Sequence, residues 1–382
     1  MFTRLTHLEC PACGRSHSVR RDVSYCVCGS PLFARYNMKL VEEAAQSNQF
    51  PSTENSLWRY ADLLPVRPPS NITTLGEGWT PLLFANRLGK HLGLQNLRVK
   101  DEARNPTLSF KDRGISVAIS KHLELGSTRF ALPSAGNAAV SVCAYSAAGN
   151  AEADIFMPKD TPKAFFEGCE MYGGIIHEVD GNISDCGEAM AKAGGKWTNL
   201  STTKEPFRVE GKKTLAFEIA EQLDWNIPDV IVCPTGGGTA MLGIWKGIEE
   251  LQQIGLLERK TPRMFAAQSE GCAPIVRAYE KNSGDIEPWT DAETSAFGLR
   301  VPSPFADRLI MKIINQSEGG AVAVAEAEVK PMMKLVPRIE GIDICPEAAV
   351  GFSGLRNLVE SSIVDYDEEI VVLNTGSSMR YG

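Results

Sequence analysis

Lys111 stands in the stretch Asn105-Pro106-Thr107-Leu108-Ser109-Phe110-Lys111-Asp112-Arg113-Gly114. A predicted strand, Leu97–Lys100, precedes it, and a predicted helix, Ile115–Glu124, follows and is stopped by Gly126. Pro106 favours an extended approach, and Ser109 is the expected N-cap, which puts Lys111 in or near the first helical turn. The positive end of a helix discourages an amine from holding its proton. An unprotonated amine can attack a carbonyl and form a Schiff base. The plain alternative is an exposed charge at a helix start.

Three more turns at strand ends carry chemistry of their own. Pro234-Thr235-Gly236-Gly237-Gly238-Thr239 follows the predicted strand Val230–Val232 and opens a helix from Ala240. Successive glycines let N–H groups point inward as an anion nest at a helix start, which suits a phosphate. No Gly-Lys-Ser/Thr follows, so this is not a Walker loop, and Met241 stands where a dinucleotide fingerprint needs its third glycine. Pro133-Ser134-Ala135-Gly136-Asn137 follows Phe130–Leu132 and leads into the helix Ala138–Ala148. Gly136 permits close backbone approach there, though an ordinary capped helix has the same spelling. Asn374-Thr375-Gly376-Ser377-Ser378 is a polar turn near the C-terminus. Arg208, in Pro206-Phe207-Arg208-Val209-Glu210-Gly211, offers a guanidinium fork that matches a phosphate, or a salt bridge at the surface.

Together these motifs resemble, in their order, those of the fold-type II pyridoxal-phosphate (PLP) enzymes, and most of all the threonine synthase family. Asn-Pro-Thr-x-Ser-Phe-Lys-Asp-Arg is similar to that family's lysine motif, with Leu108 where the family has glycine. Gly76-Glu77-Gly78-Trp79-Thr80-Pro81-Leu82 is similar to its Gly-Glu-Gly-x-Thr-Pro-Leu stretch. The resemblance spans roughly residues 75 to 382. It implies that Lys111 binds PLP covalently and is the catalytic residue. It further implies that Asn137 meets the PLP 3′-hydroxyl and that Thr235, Gly236, Gly237, Gly238 and Thr239 hold the PLP phosphate. Thr375 would meet the pyridine nitrogen, Ser134 the substrate carboxylate, and Arg208 the substrate phosphate. A neutral hydroxyl at the pyridine nitrogen weakens the electron sink and favours elimination and replacement over transamination. Ala135 and Ala138 depart from threonines found in some members, and the ending Met379-Arg380-Tyr381-Gly382 departs from the commoner His-Gly-Leu-Lys.

Four of the ten cysteines cluster near the start, as Cys10-Pro-Ala-Cys13-Gly and Cys26-Val-Cys28-Gly. Four thiolates in a short polar segment suit structural zinc, whose binding would supply the stability that a small core lacks. A degenerate ribbon without metal is the alternative. His7 and His17 read as polar surface.

These sites need a frame to position them. The chain has 382 residues, 43% hydrophobic and 23% charged, an ordinary globular composition. Its length suggests roughly two to three domains at about 150 residues each. A net charge of -8 and a pI near 5.4 exclude nucleic acid as the main partner. No apolar run reaches the roughly 18 residues of a membrane span, and Met1–Cys10 has no apolar signal segment, so a cytoplasmic chain is expected. From about residue 97, short apolar strands alternate with helices (Ala153–Met157, Lys163–Tyr172, Ile175–Val179, Ser184–Ala193, Glu210–Leu223, Met264–Ala267, Ile370–Leu373). Such alternation builds parallel sheets covered by helices, with ligands at the carboxyl ends of strands.

The expected fold is α/β, like fold-type II PLP enzymes (tryptophan synthase β-like), with two doubly wound parallel-sheet domains and an N-terminal zinc-ribbon-like segment. The expected divisions are a ribbon at 1–36, a linker at 37–74 and a catalytic region at 75–382, with a smaller domain at about 110–205 inserted in the larger. The resemblance implies a PLP-dependent carbon–oxygen lyase that converts O-phospho-L-homoserine and water to L-threonine and phosphate, and a homodimer. Serine/threonine dehydratase and phosphoserine β-replacement chemistry (cysteate synthase-like) remain open. A silent relative acting as a binding module is opposed by the intact Lys111.

Overall fold

A computed structural model describes residues 3–20, 23–67 and 70–381. Pro68 and Pro69 of the turn-rich linker, the first two residues of the chain, and Gly382 of the unusual ending lie outside the described residues. The strands in chain order are β1 (Leu5–Glu9), β2 (Ser16–His17), β3 (Phe33–Tyr36), β4 (Leu82–Phe84), β5 (Asn96–Asp101), β6 (Arg129–Pro133), β7 (Glu152–Pro158), β8 (Ile175–Val179), β9 (Thr198–Asn199), β10 (Val230–Pro234), β11 (Arg263–Ser269), β12 (Gly320–Val324) and β13 (Glu369–Asn374).

They form three sheets. An antiparallel ribbon runs β2-β1-β3, a six-stranded sheet runs β12-β11-β10-β13-β5-β4, and a four-stranded sheet runs β8-β7-β6-β9. The two larger sheets are parallel apart from β4, which pairs antiparallel with β5 at an edge. Parallel neighbours need long crossovers, so helices connect them and cover the sheet faces. That is why the central strand β10 is buried along its whole length and reads as an apolar run, not an alternation. The structure therefore has the α/β architecture the sequence implies. β9 and β12 extend it beyond the strands the sequence announced.

Predicted boundaries shift where tertiary contacts decide them. The helix expected from Glu210 begins at Phe207 and runs to Gln222, which brings Arg208 into its first turn. The helix after the lysine motif runs Lys111–Glu124, with Phe110 at the N-cap position one residue after the expected Ser109. Ser109 still assists, since its Oγ accepts the Lys111 N–H at 3.3 Å.

These two helices cross at near backbone contact. A Cβ on Gly211 would sit 1.9 Å from the Arg113 carbonyl oxygen, and one on Gly114 would sit 2.7 Å from the Arg208 carbonyl oxygen. Gly211→Ala is thus expected to push the helices apart. Overpacking of this kind costs about 1–3 kcal/mol, measurable by urea denaturation, and turnover should fall with it because Lys111 and Arg208 begin these helices.

The N-terminal segment is fastened to the second of these helices, Phe207–Gln222. Tyr36, at the end of β3, donates its hydroxyl to Glu210 Oε2 at 2.8 Å. Glu210 is ion-paired with Lys213 (2.7 Å) and Lys246 (3.1 Å), and Lys213 also reaches Glu250 at 2.7 Å. The segment Leu57–Leu63 packs down as a short helix with every residue buried. Its Trp58 Nε1 donates to Glu77 at 2.9 Å, and the Tyr145 hydroxyl donates to Glu77 at 2.7 Å. The Gly76-Glu77-Gly78 turn is therefore bolted through its one side chain rather than loose.

Candidate active site

The carboxyl ends of the strands meet at a cavity of about 210 Å³. Lys111, Asn137, Thr235, Gly236, Gly237, Gly238, Thr239 and Thr375 line it together with Phe110, Glu347 and Tyr381. Four separate stretches of sequence are thus brought to one place.

Backbone bonds fix the junction between two of them. The Phe110 N–H donates to the Thr375 carbonyl at 3.1 Å, and the Ser377 N–H donates to the Leu108 carbonyl at 3.0 Å. Leu108 holds φ +65°, in the left-handed region that favours glycine, which accounts for the glycine that the family motif carries at this place.

Lys111 is partly exposed, into the cavity, at the head of its helix. Burial of the amine and then the Arg208 guanidinium bring it down to about 8, against the opposite pull of Glu347 and Cys345. The helix start had been expected to depress it. The larger causes are burial and a neighbouring cation, neither of which is local in sequence. A second amine lies close by. Lys212, one turn after Arg208, is buried, donates to the Phe110 carbonyl, and has its Nζ 3.9 Å from the Phe110 ring centre, while the Lys111 Nζ lies 4.4 Å from the same centre. Burial, Lys111 and Arg208 push Lys212 well below the ordinary lysine range.

The glycine turn after β10 is closed behind and open in front. A Cβ on Gly236 would meet the Gly298 carbonyl at 2.7 Å, and one on Gly238 would meet Ile310 Cδ1 at 2.2 Å. The helix that follows starts at Thr239, so its first N–H groups have no acceptors within it and are directed at the cavity end. This donor set, beside the Lys111 amine, fits an aldehyde that carries a phosphate. Thr375 adds a hydroxyl whose Oγ1 lies 3.4 Å from Cys345 Sγ.

Ser134 and Arg208 are close by but do not line the cavity. Ser134 is buried, its N–H bonded to the Phe156 carbonyl at 3.0 Å. Arg208 is buried; its Nη1 donates to the Leu200 carbonyl at 2.5 Å, and its Nε has no acceptor among the described residues. Burial lowers it to about 10.

Sequence reasoning missed Glu347, Tyr381 and Lys212. Glu347 follows Pro346 at a helix start, and Tyr381 lies at the far end of the chain. Only the folded chain places them on this cavity. The one available signal was the ending Met379-Arg380-Tyr381-Gly382, already unusual.

Away from the cavity, Cys10, Cys13, Cys26 and Cys28 gather with all four Sγ atoms within 4.8 Å of one another. Tetrahedral zinc–thiolate bonding implies sulfur–sulfur distances of about 3.8 Å. Cys10 and Cys28 lie 3.5 Å apart, and Cys13 and Cys26 lie 3.6 Å apart. The donor set fits zinc. His7 and His17 are not in the group. Among the described residues no helix is long and apolar enough to cross a membrane.

Comparison with known proteins agrees with this geometry. Residues 73–376 match the family described as pyridoxal-phosphate dependent enzyme. Threonine synthase of Methanocaldococcus jannaschii is 35% identical over 379 residues, covering 97% of this chain and 92% of that protein. Threonine synthase of Methanosarcina acetivorans is 33% identical, covering 98% and 92%. Among solved structures, maize serine racemase superposes with a TM-score of 0.68 at 20% identity, covering 78% of this chain and 88% of that one. Threonine deaminase isoform 2 of Solanum lycopersicum superposes with a TM-score of 0.65 at 22% identity, covering 78% and 79%. These two likenesses show the fold. The match over most of the chain, and the identity to curated relatives along nearly all of it, establish that the chain belongs to the pyridoxal-phosphate dependent enzyme family.

Proposed function

We propose that this enzyme converts O-phospho-L-homoserine and water to L-threonine and phosphate. The observation that carries the reading is the 35% identity to a threonine synthase across 97% of the chain. PLP, when bound, supplies an electron sink for charge that develops on the substrate carbons. Lys111 would hold it, and Thr239 with the N–H groups of Gly236, Gly237 and Gly238 would hold its phosphate. Asn137 and Thr375 would fix the ring, and Thr235 would support the turn through its 2.7 Å bond to the Cys233 carbonyl. Ser134 would bind the substrate carboxylate.

Lys111 would move the proton of the α-carbon. An amine brought down to about 8 keeps a useful neutral fraction near neutral pH, and the fraction grows as pH rises. Arg208 would take the substrate phosphate. A guanidinium whose Nε is without an acceptor among the described residues has donor capacity to spare.

The assay is phosphate release from O-phosphohomoserine against ammonia release from threonine. Phosphate release is expected to dominate; ammonia release alone would favour a dehydratase. Arg208→Ala should raise KM for the phosphorylated substrate about tenfold to a hundredfold, the loss of a charge-assisted bond, and change that for threonine far less. Equal effects on both substrates would remove Arg208 from the phosphate role.

We also propose that the four cysteines bind structural zinc. Elemental analysis should find about one zinc per chain. Cys10→Ser should lose it and lower the thermal midpoint. Full stability without metal would refute the assignment.

A further inference from the structure

One charged group on the cavity wall has no part in the reaction above. Glu347 is 5% exposed and is the only carboxylate on the lining among the described residues. Its Oε1 accepts the Gly298 N–H at 2.7 Å and the Tyr381 hydroxyl at 3.0 Å. Its Oε2 is buried and has no partner among the described residues. The Tyr381 oxygen also accepts from Asn137 Nδ2 at 2.9 Å, and its ring stands edge-on to Phe165 with centres 5.3 Å apart. Asn137, Tyr381, Glu347 and the Gly298 amide thus form one hydrogen-bonded chain along the wall. A buried carboxylate oxygen left without a donor is costly, and such a group is expected where a cation is to be met.

The groups that act on Lys111 are few. Burial and Arg208, from the helix Phe207–Gln222, oppose a positive charge there; Glu347 and Cys345, from the start of the helix Pro346–Glu360, favour one. Lys212, from the same helix as Arg208, is itself the group that yields its proton, pushed down by burial and then by Lys111. Tyr381, from the C-terminal turn, reaches the site through its hydroxyl on Glu347.

We propose that Glu347 is the counter-charge of this site, stabilising the cationic form of the Lys111 nitrogen, and that Tyr381 is the positioning residue that holds Glu347 and Asn137 in register. The cavity is thereby polarised, with a negative group on its lining and the buried Arg208 guanidinium on the other side of the balance at Lys111. That polarity suits an amino acid whose ammonium enters toward Glu347 and whose anionic tail points away from it. The inference rests on PLP binding at Lys111 and uses no substrate in its test.

The experiment is a pH titration of the visible absorbance of the PLP-loaded protein. In Glu347→Gln the cation loses its stabilising neighbour and gives up its proton at lower pH, so the midpoint should fall by about one pH unit or more. A midpoint unchanged or raised, in a variant that retains the cofactor, overturns the counter-charge. If the Gln variant does not fold, Glu347→Asp draws the charge back by one methylene; a smaller fall supports the proposal and none overturns it. Tyr381→Phe keeps the ring against Phe165 and removes only the hydroxyl. Its Kd for PLP should rise roughly tenfold, the loss of about one hydrogen bond, and an unchanged Kd overturns the positioning role. A native protein with no visible band would overturn PLP binding at Lys111 itself, and this inference with it.

Discussion

Lys111→Ala protein is expected to turn over its substrate at least about a thousandfold more slowly than the native enzyme, since both the covalent attachment and the proton-transfer group are removed. The fold should survive. Lys111 lines an open cavity, and its Nζ makes no ion pair among the described residues. Circular dichroism and denaturation should match the native protein while the visible band of bound PLP is lost. Substantial turnover would mean that another amine serves, and the buried Lys212 is the one the structure places nearest to that task. Its nitrogen donates to the Phe110 carbonyl and it does not line the cavity, so it is not expected to substitute.

Arg113→Ala should act on the fold instead. Arg113 is two residues from Lys111 and wholly buried, with Nε 2.6 Å from Glu102, Nη1 2.5 Å from Glu218, and Nη2 2.7 Å from each. Lys100 completes the group, 2.8 Å from Glu218. Burial works to raise Glu218, but Arg113 and Lys100 outweigh it and hold the carboxyl at about 2. Removing the arginine leaves two buried carboxylates facing one lysine. Breaking a buried ion pair in this way costs about 3–5 kcal/mol, which guanidinium denaturation would read directly. A loss under about 1 kcal/mol would mean that water enters to replace it. The same network sets an acid limit. With its folded pKa below the unfolded one, Glu218 contributes stability that is complete above the ordinary glutamate range and fades as pH falls from there towards 2.

Much of the site was legible because its residues sit at strand-to-helix turns, where composition is local. Glycine spells the turn after β10, Gly136-Asn137 spells the start of the helix after β6, and proline with serine marks the approach to Lys111. The apolar runs of β10 and β13 announced a sheet buried on both faces. Glu347 and Tyr381 were not legible because nothing near them in sequence distinguishes a carboxylate after a proline or a tyrosine in a tail. Their meaning comes from contacts 34 residues apart with each other, and 244 apart in the bond between Tyr381 and Asn137.

The helix Glu326–Glu340 was hidden for another reason. It contains Pro331 and Pro337, which local rules place outside helices. Val329, Met332 and Val336 keep a helical stripe that is buried, and that packing outweighs the bonds the prolines remove. The start of the helix Phe207–Gln222 was misjudged for a related reason. Pro206 precedes it and the Glu205 carboxylate accepts the N–H groups of Phe207 (2.8 Å) and Arg208 (2.7 Å), a cap contributed from outside the apolar period.

Attachment of the cofactor to one lysine is the central claim, and it can be tested without any substrate. Native protein loaded with PLP is treated with borohydride, digested, and its peptides weighed. The account predicts a single labelled peptide, the one that contains Lys111, and no label in Lys111→Ala. Label on a different lysine, or none in the native protein, would contradict it.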